Sequence, residues 1–169
     1  MKKEIPCEMQ VVTESGGIVV PKGFKADATY CGIKTIKESL DLGIIFSEYP
    51  STGAALFTTN QICAAPVKLS RKVAQKGHVR ALVVNSGNAN ACTGEQGYKD
   101  AEEMVRIAGK CLKISEDEIL VASTGIIGRP LPMDKIFAGI KAAATSLGNT
   151  QAHGNNMARA IMTTDTKQK

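Results

Sequence analysis

The stretch ALVVNSGNAN, residues 81–90, decides the fold prediction for this sequence. Residues 81–84 form a continuous apolar run with the length of a strand. Residues 85–90 are rich in the turn formers Asn, Ser and Gly, and apolar residues with helical spacing begin near residue 95. A buried strand that leads through a polar loop into an amphipathic helix predicts a sheet that is covered by helices.

The same order recurs further along the chain. Residues 119–122 are a second apolar run, the loop STGIIG follows at 123–128, and a helix is predicted from Pro132 to Gly148. The tail at 160–166 begins strand-like and turns polar. This alternation of strands and helices favours an α+β fold with α/β-like order.

Upstream of the deciding stretch, the pattern predicts two strands and a helix. Residues 42–47 and 53–58 are short apolar runs joined by a link that contains proline, which predicts an antiparallel pair with a loose turn. A helix is predicted from Pro66, where proline suits the first helical position, to a stop at Gly77. No repeat or compositional boundary divides the sequence, so we expect residues 1–169 to form a single domain.

The composition excludes several classes of protein. The chain has 169 residues, 43% of them hydrophobic and 22% charged, which is ordinary globular usage and argues against intrinsic disorder. The net charge of +5 is small and the basic residues are scattered, so we expect no nucleic-acid partner. No run approaches the length of a transmembrane helix, so we expect no membrane span.

The five cysteines and two histidines show no spacing that suits a metal site. The cysteines are widely spaced without a CxxC pair, which also argues against a secreted disulfide framework. The sequence begins Met1-Lys2-Lys3, has Glu4 close behind, and lacks the apolar segment of a signal peptide. We therefore expect a cytoplasmic protein with reduced, mostly buried thiols and no metal.

The loop at 123–128 carries groups that suit anion binding. The Thr124 hydroxyl beside the Gly125 N–H forms a pair of donors suited to the oxyanion of an acyl-transfer reaction. Phosphate binding at a helix N-terminus is an alternative, although the lysine of phosphate-binding loops is absent. A plain glycine turn without a ligand fits the same residues.

Two further polar segments allow both a functional and a structural interpretation. Residues 85–94 hold three asparagines, two glycines, a serine and a threonine, which suit either a frame for a polar substrate or a buried turn. Residues 162–169 hold three hydroxyls and a carboxylate, which suit either amino-acid binding or a solvated C-terminus. Neither histidine lies in a nucleophile motif, so the sequence suggests donors for an oxyanion without suggesting a nucleophile.

These motifs together resemble the N-terminal part of the ornithine acetyltransferase family, the bifunctional glutamate N-acetyltransferases of arginine biosynthesis. The matching stretches follow the family's order along nearly the whole chain. They are GFKA at 23–26, GIK at 32–34, FTTN at 57–60, AAPV at 64–67, residues 85–94, residues 123–128 with LPM at 131–133, and residues 160–166.

The resemblance implies a fold and an activity. Family members are made as one precursor that cuts itself before a threonine, which becomes the nucleophile of the C-terminal β chain. That threonine takes acetyl from N-acetylornithine, or from acetyl-CoA in bifunctional members, and passes it to glutamate. The chains assemble as an α2β2 heterotetramer, and the reaction uses no cofactor beyond acetyl-CoA as a co-substrate. The family fold is a helix–sheet–sheet–helix sandwich resembling N-terminal-nucleophile hydrolases, which we expect to be incomplete in this chain.

The resemblance also assigns residues to the site. Thr124 and Gly125 match the oxyanion-hole pair of the family. Thr163 matches a substrate-binding threonine, and Thr164 beside it is the alternative register. Residues 85–94 match a strongly patterned loop that is expected to frame the site rather than to take part in catalysis.

The sequence departs from the family after its tail. Family members continue with a KGSGMI segment and then NMATML, which supply a substrate-binding lysine, the scissile bond and the nucleophile. This sequence stops at Lys169, before either segment. We therefore expect the chain alone to be inactive and to need a C-terminal β chain as its partner. The alternative is an inactive remnant that only folds or binds an acidic amino acid.

Overall fold

The structure, a computed structural model, describes residues 17–167. In this part of the chain, strands and helices alternate after two initial strands. The elements are β1 Phe24–Thr29, β2 Leu42–Ser47, α1 Ala65–Ala74, β3 Ala81–Asn88, α2 Gly94–Leu112, a 3-10 turn Glu116–Glu118, β4 Ile119–Ile126, α3 Met133–Ser146 and α4 Gln151–Ala160.

The four strands form one mixed sheet in the order β1-β2-β3-β4. The pairs β1–β2 and β2–β3 are antiparallel, with Ala26 opposite Ile45 and Ile45 opposite Leu82. Strand β4 runs parallel to β3, because α2 carries the chain back between them as a crossover connection. The mixed sheet with its helices confirms the predicted α+β class.

One face of the sheet holds the main hydrophobic core. Because side chains alternate along a strand, every second residue of β2, β3 and β4 points to this face. Helices α2 and α3 cover it with Met104, Ile136 and Ile140, which are fully buried. The strand residues that pack against them are Leu42, Ile44, Ala81, Val83, Ile119 and Val121.

The opposite face of the sheet, called the second face below, is covered only in part. Helix α4 lies across β1 and β2 and buries Met157 against Ala26 and Val84. The Met157 sulfur occupies the space that a Cβ on Gly43 would need, so the glycine of β2 admits the helix. Beyond α4, the second face borders an apolar cavity of about 420 Å³, whose strand residues include Phe24, Ile45, Leu82 and Leu120.

The predicted strand pair of residues 42–47 and 53–58 is half wrong. Residues 42–47 form β2 as predicted, but residues 53–58 form no strand. Both edges of β2 are taken by β1 and β3, so no edge is left for the second segment. Within this segment Leu56 is fully exposed, which is the reverse of the burial that the apolar run predicts.

Strands β3 and β4 both extend further than their apolar runs predict. Residues 85–88 belong to β3 and residues 123–126 belong to β4, where the sequence predicts loops. The tail prediction is also wrong, since residues 161–166 form turns rather than a strand. They follow α4, a helix that the sequence analysis missed. The three predicted helices are confirmed as α1, α2 and α3, with ends shifted by one to three residues.

The prediction that the N-terminus carries no signal peptide concerns residues that lie outside the described part of the chain. No helix within residues 17–167 combines the length and the apolar character needed to cross a membrane.

Candidate functional site

Thr124 and Gly125 lie near the C-terminal end of β4, directly opposite Ser86 and Gly87 of β3. Thr124 is half-buried and Gly125 is exposed, so neither is covered by packed hydrocarbon. Thr124 shares the second face with Ser86, because parallel partners point to the same side of a sheet. The predicted donor pair therefore sits on a strand end that is accessible.

The hydrogen bonds of β4 show which way the Gly125 N–H points. The N–H and the C=O of Val121 both bond to the Ser70 hydroxyl of α1, on the side of β4 away from β3. The Ile126 carbonyl instead accepts from the Ala89 N–H on the β3 side. Because alternate residues of a strand direct their N–H groups to the same side, Gly125 faces away from β3 as Val121 does.

Residue 125 has to be glycine for two separate reasons. Its φ of 129° lies in a region that residues with a Cβ rarely adopt. A Cβ at this position would also stand 2.6 Å from the Asn88 backbone nitrogen and closer still to the Gly87 carbonyl carbon. The close approach of the two backbones fixes the Gly125 peptide in place.

The asparagine-rich segment at 85–94, whose first four residues end β3, supports this strand end through its buried asparagines. Asn85 donates to the Asn88 carbonyl and accepts a hydrogen bond from the Ser123 hydroxyl of β4. Asn88 donates to the carbonyl of Pro130, and Asn90 donates to that of Gly97. These asparagines are buried and satisfied within the protein, which favours the structural interpretation of the loop.

The two tail threonines are placed differently. Thr163 lines a cavity of about 400 Å³, called the Thr163 cavity below, between α4 and the loop 31–40. Both threonines are exposed, and Thr164 is absent from the cavity lining. The Ser86 hydroxyl donates to the Ala160 carbonyl at the end of α4, which ties this segment to β3. Thr124 and Gly125 do not line the Thr163 cavity, and they pair with Ser86 and Gly87 of β3.

Sequence reasoning missed Asp41, the buried carboxylate that organises the loop before β2. Asp41 has no exposed surface and accepts three backbone hydrogen bonds. Its donors are the N–H groups of Cys31 at 2.7 Å, Ile33 at 2.6 Å and Lys34 at 3.1 Å. A single acidic residue beside an apolar run carries no signal that distinguishes it from a solvated charge.

The thiols are less buried than the sequence analysis predicts. Cys31, Cys63 and Cys111 are half-buried and Cys92 is exposed, and all four are free, while Cys7 lies outside the described residues. No cluster of three or more metal-ligating side chains occurs within residues 17–167.

Two solved structures share this architecture. Ornithine acetyltransferase from Mycobacterium tuberculosis, solved in complex with ornithine, matches with a TM-score of 0.86 and 39% identity, covering 90% of this chain and 81% of that chain. The arginine biosynthesis bifunctional protein ArgJ from Bacillus halodurans matches with a TM-score of 0.85 and 39% identity, covering 90% of this chain and 78% of that chain. The mixed sheet and its helices therefore have the fold found in this class of acetyltransferase.

The chain belongs to the ArgJ family, whose profile matches residues 25–169, and the resemblance seen in the sequence is confirmed. The ArgJ protein of Caldanaerobacter subterraneus is 50% identical over 151 residues, and that of Dehalococcoides mccartyi is 47% identical over 159 residues. These matches cover 89% and 94% of this chain. They cover 36% and 38% of the two relatives, so the chain spans little more than a third of their length.

Proposed function

We propose that this chain is the oxyanion-stabilising α-chain portion of a glutamate N-acetyltransferase. Acetyl moves from N-acetylornithine, or from acetyl-CoA, to glutamate through an acyl-threonine on a C-terminal β chain. The Thr124 hydroxyl and the Gly125 N–H donate to the oxyanion. The observation that carries the proposal is the direction of the Gly125 N–H, which faces away from β3 on the same strand as the Thr124 hydroxyl.

The same two donors serve both halves of the transfer. When the threonine oxygen bonds to the acetyl carbon, an electron pair of the C=O bond moves to the carbonyl oxygen. Collapse of this intermediate breaks the bond to the ornithine nitrogen, and the amine leaves with a proton. The glutamate amine then attacks the acyl-threonine and forms a second oxyanion at the same position, which collapses to free the threonine. Donors that are already held in place stabilise each oxyanion without having to reorganise.

The half-covered second face supports the proposal that a β chain completes the fold. A second sheet stacked about 10 Å away would bury the apolar cavity beside Ile45 and Leu82. In this proposal residues 1–169 are one domain of a helix–sheet–sheet–helix sandwich that resembles N-terminal-nucleophile hydrolases. Two such chains and two β chains form the α2β2 heterotetramer, which works in the cytoplasm.

The test is a two-chain assay. The chain is produced together with the C-terminal part of the Caldanaerobacter relative, and transfer of acetyl from N-acetylornithine to glutamate is measured. We expect transfer by the purified pair and none by residues 1–169 alone. Thr124→Ala should lower kcat by about 100-fold to 1000-fold, as removal of an oxyanion donor does in other enzymes.

Thr145→Ala is the matched control, because Thr145 is exposed on α3 and bonds only within its own helix. It should leave kcat unchanged. Transfer by the chain alone, or full activity of the Thr124→Ala pair, would contradict the proposal.

A chain that only binds an acidic amino acid is the second candidate, and the cationic lining of the Thr163 cavity favours it. Saturable binding of N-acetylglutamate by the chain, with no acetyl transfer by the purified pair, would select this candidate.

A further inference from the structure

Two cysteines that are distant in the sequence line one cavity. This cavity of about 450 Å³, called the dithiol cavity below, lies between the start of α1 and the start of α2. Cys63 and Cys92 both line it, together with Lys68, Glu95 and Tyr98. The proposed oxyanion donors are absent from its lining, so acetyl transfer gives these two thiols no role.

The main chain brings the two cysteines together. The Ala65 N–H donates to the Asn90 carbonyl at 3.2 Å, and each cysteine lies two residues from this hydrogen bond. Asn90 and Cys92 have positive φ, 45° and 56°, which turns the chain sharply between β3 and α2. Because the side chains of Cys63 and Cys92 then reach the same cavity, the fold makes neighbours of the two thiols.

The surroundings of these thiols differ from those of the other described cysteines. Cys31 and Cys111 are half-buried and pack against the main hydrophobic core. Cys92 is exposed, and Cys63 is half-buried at the cavity without belonging to the core clusters of the described residues. A thiol exchanges with a disulfide only where the reagent can reach it. Cys92 therefore meets a reagent first, and Cys63 lies beside it.

The dithiol cavity lies at the positive ends of two helix dipoles. Cys63 directly precedes Ala64, the N-cap of α1, and Cys92 directly precedes Thr93, the N-cap of α2. Neither N-cap side chain bonds to an N–H of its first turn, so no capping oxygen offsets the partial charge of either helix end. Thiol–disulfide exchange passes negative charge between sulfurs, and positive helix ends favour that charge.

Cys63 lies in a segment that can approach Cys92. It belongs to an irregular stretch, residues 53–63, that forms neither helix nor strand. Its sulfur donates to the Asn60 carbonyl at 2.9 Å, within the same stretch. A disulfide needs Cα atoms roughly 4.4–6.8 Å apart. Movement of this stretch supplies the approach at the cost of one weak S–H hydrogen bond, because α1 begins only at Ala65.

We propose that Cys63 and Cys92 form a redox-active dithiol that reduces a low-molecular-weight disulfide, such as glutathione disulfide, and closes to a disulfide across the cavity. This inference goes beyond acetyl transfer and does not depend on it. Glutathione disulfide carries both carboxylates and ammonium groups, which match the Lys68 and Glu95 charges of the lining. The closed bond would tie the start of α1 to the segment 85–94.

The reaction takes two exchange steps. The Cys92 thiol loses its proton to water, and its sulfur attacks one sulfur of glutathione disulfide. The S–S bond of the reagent breaks, and one glutathione leaves and takes up a proton. The Cys63 sulfur then loses its proton, attacks the Cys92 sulfur of the mixed disulfide and releases the second glutathione. Two protein thiols are oxidised, and one glutathione disulfide is reduced to two glutathione molecules.

The experiment incubates the reduced 169-residue chain with millimolar glutathione disulfide at pH 8, stops the exchange with acid and maps unreduced peptides by mass spectrometry. The main product should be the peptide pair linked through Cys63 and Cys92. Cys63→Ser should trap the mixed disulfide on Cys92 and raise this adduct about tenfold or more over the wild type. Cys111→Ser is the matched control, since Cys111 is also half-buried, and it should leave the link unchanged.

The same reaction in urea tests whether the fold selects the pair. Cys111 lies closer to Cys92 in the sequence than Cys63 does, so the unfolded chain should favour the link between Cys92 and Cys111. The same pattern of links in the folded and the unfolded chain would overturn the inference.

The wild-type peptide map is decisive by itself, even if Cys63→Ser fails to fold. A lasting glutathione adduct on Cys92, a link from Cys92 to a cysteine other than Cys63, or no reaction at Cys92 would each overturn the inference. None of these outcomes bears on acetyl transfer, which the two-chain assay tests separately.

Discussion

Gly125 of β4 and Gly87 of β3 approach so closely that a Cβ on Gly125 would collide with the Gly87 carbonyl carbon. Both glycines have positive φ, 129° for Gly125 and 101° for Gly87. The contact joins the two parallel strands at the point where each changes from apolar to polar residues. A glycine pair therefore sets the distance between β4, which carries the proposed donors, and β3, against which the loop before β2 packs.

Gly125→Ala is expected to lower the free energy of unfolding by about 3 kcal/mol, because the new Cβ adds both a backbone collision and a strained φ. The measurement is urea denaturation. Gly128→Ala is the matched control: its φ is 73° but no atom lies within 4 Å of the added Cβ. It should cost about 1 kcal/mol from strain alone. Equal losses for the two variants would show that the collision with β3 is absent.

Ser70→Ala should destabilise the chain by about 1–3 kcal/mol, because it leaves the buried N–H and C=O of Val121 without their partner. Thermal unfolding is the readout. Ser146→Ala serves as control, since this exposed serine bonds only within α3. Its effect should stay within about 0.5 kcal/mol. If Ser70→Ala and Ser146→Ala both melt at the wild-type temperature, Ser70 does not stabilise the edge of β4.

Asp41→Asn is expected to lower the free energy of unfolding by at least about 2 kcal/mol. The carboxylate has two acceptor oxygens for the three backbone N–H groups, whereas the amide has only one. Amide hydrogen exchange should also become faster at Ile33 and Lys34. Glu38→Gln, an exposed change on the same loop, should leave both stability and exchange unaltered. Unchanged exchange in Asp41→Asn would refute the role of this carboxylate in fixing the loop.

Burial, followed by the Asp41 charge, raises the pKa of the Cys31 thiol from 9.0 to about 12. A raised pKa keeps the thiol protonated, so at pH 8 its thiolate fraction is about a thousandfold lower than that of an unshifted thiol. Pulse labelling with iodoacetamide and mass spectrometry should find the exposed Cys92 alkylated well before Cys31. In urea the two rates should converge. Equal rates in the folded chain would contradict the raised pKa.

The sequence allowed α1, α2 and α3 to be predicted, because these helices depend on local patterns, whereas the donor pair stays a prediction. Apolar spacing marks α2, and Pro66 with Gly77 brackets α1. The pair at Thr124 and Gly125 stands out because two small polar donors follow a buried strand. The extension of β3 and β4 could not be predicted, since Asn, Ser and Gly favour turns locally and only the partner strand overrides them.

The missed elements depend on distant partners. Strand β1 contains Asp27, which is buried because Asn156 of α4 donates to it across 129 residues of chain. Helix α4 contains Gly154 and two asparagines, which are poor helix formers. It forms because Met157 packs on the sheet, a contact that no local pattern announces. Asp41 was missed for the same reason, since only its contacts with the folded loop distinguish it from other acidic residues.

The fit of the Met157 sulfur into the space above Gly43 makes α4 sensitive to oxidation. A sulfoxide oxygen is polar and enlarges the side chain, and the gap left by a missing Cβ has no room for it. Peroxide damage at this one atom would push the helix off the sheet and carry the residues beyond it away from β3. Oxidation would then detach α4 and the residues after it before the main hydrophobic core unfolds.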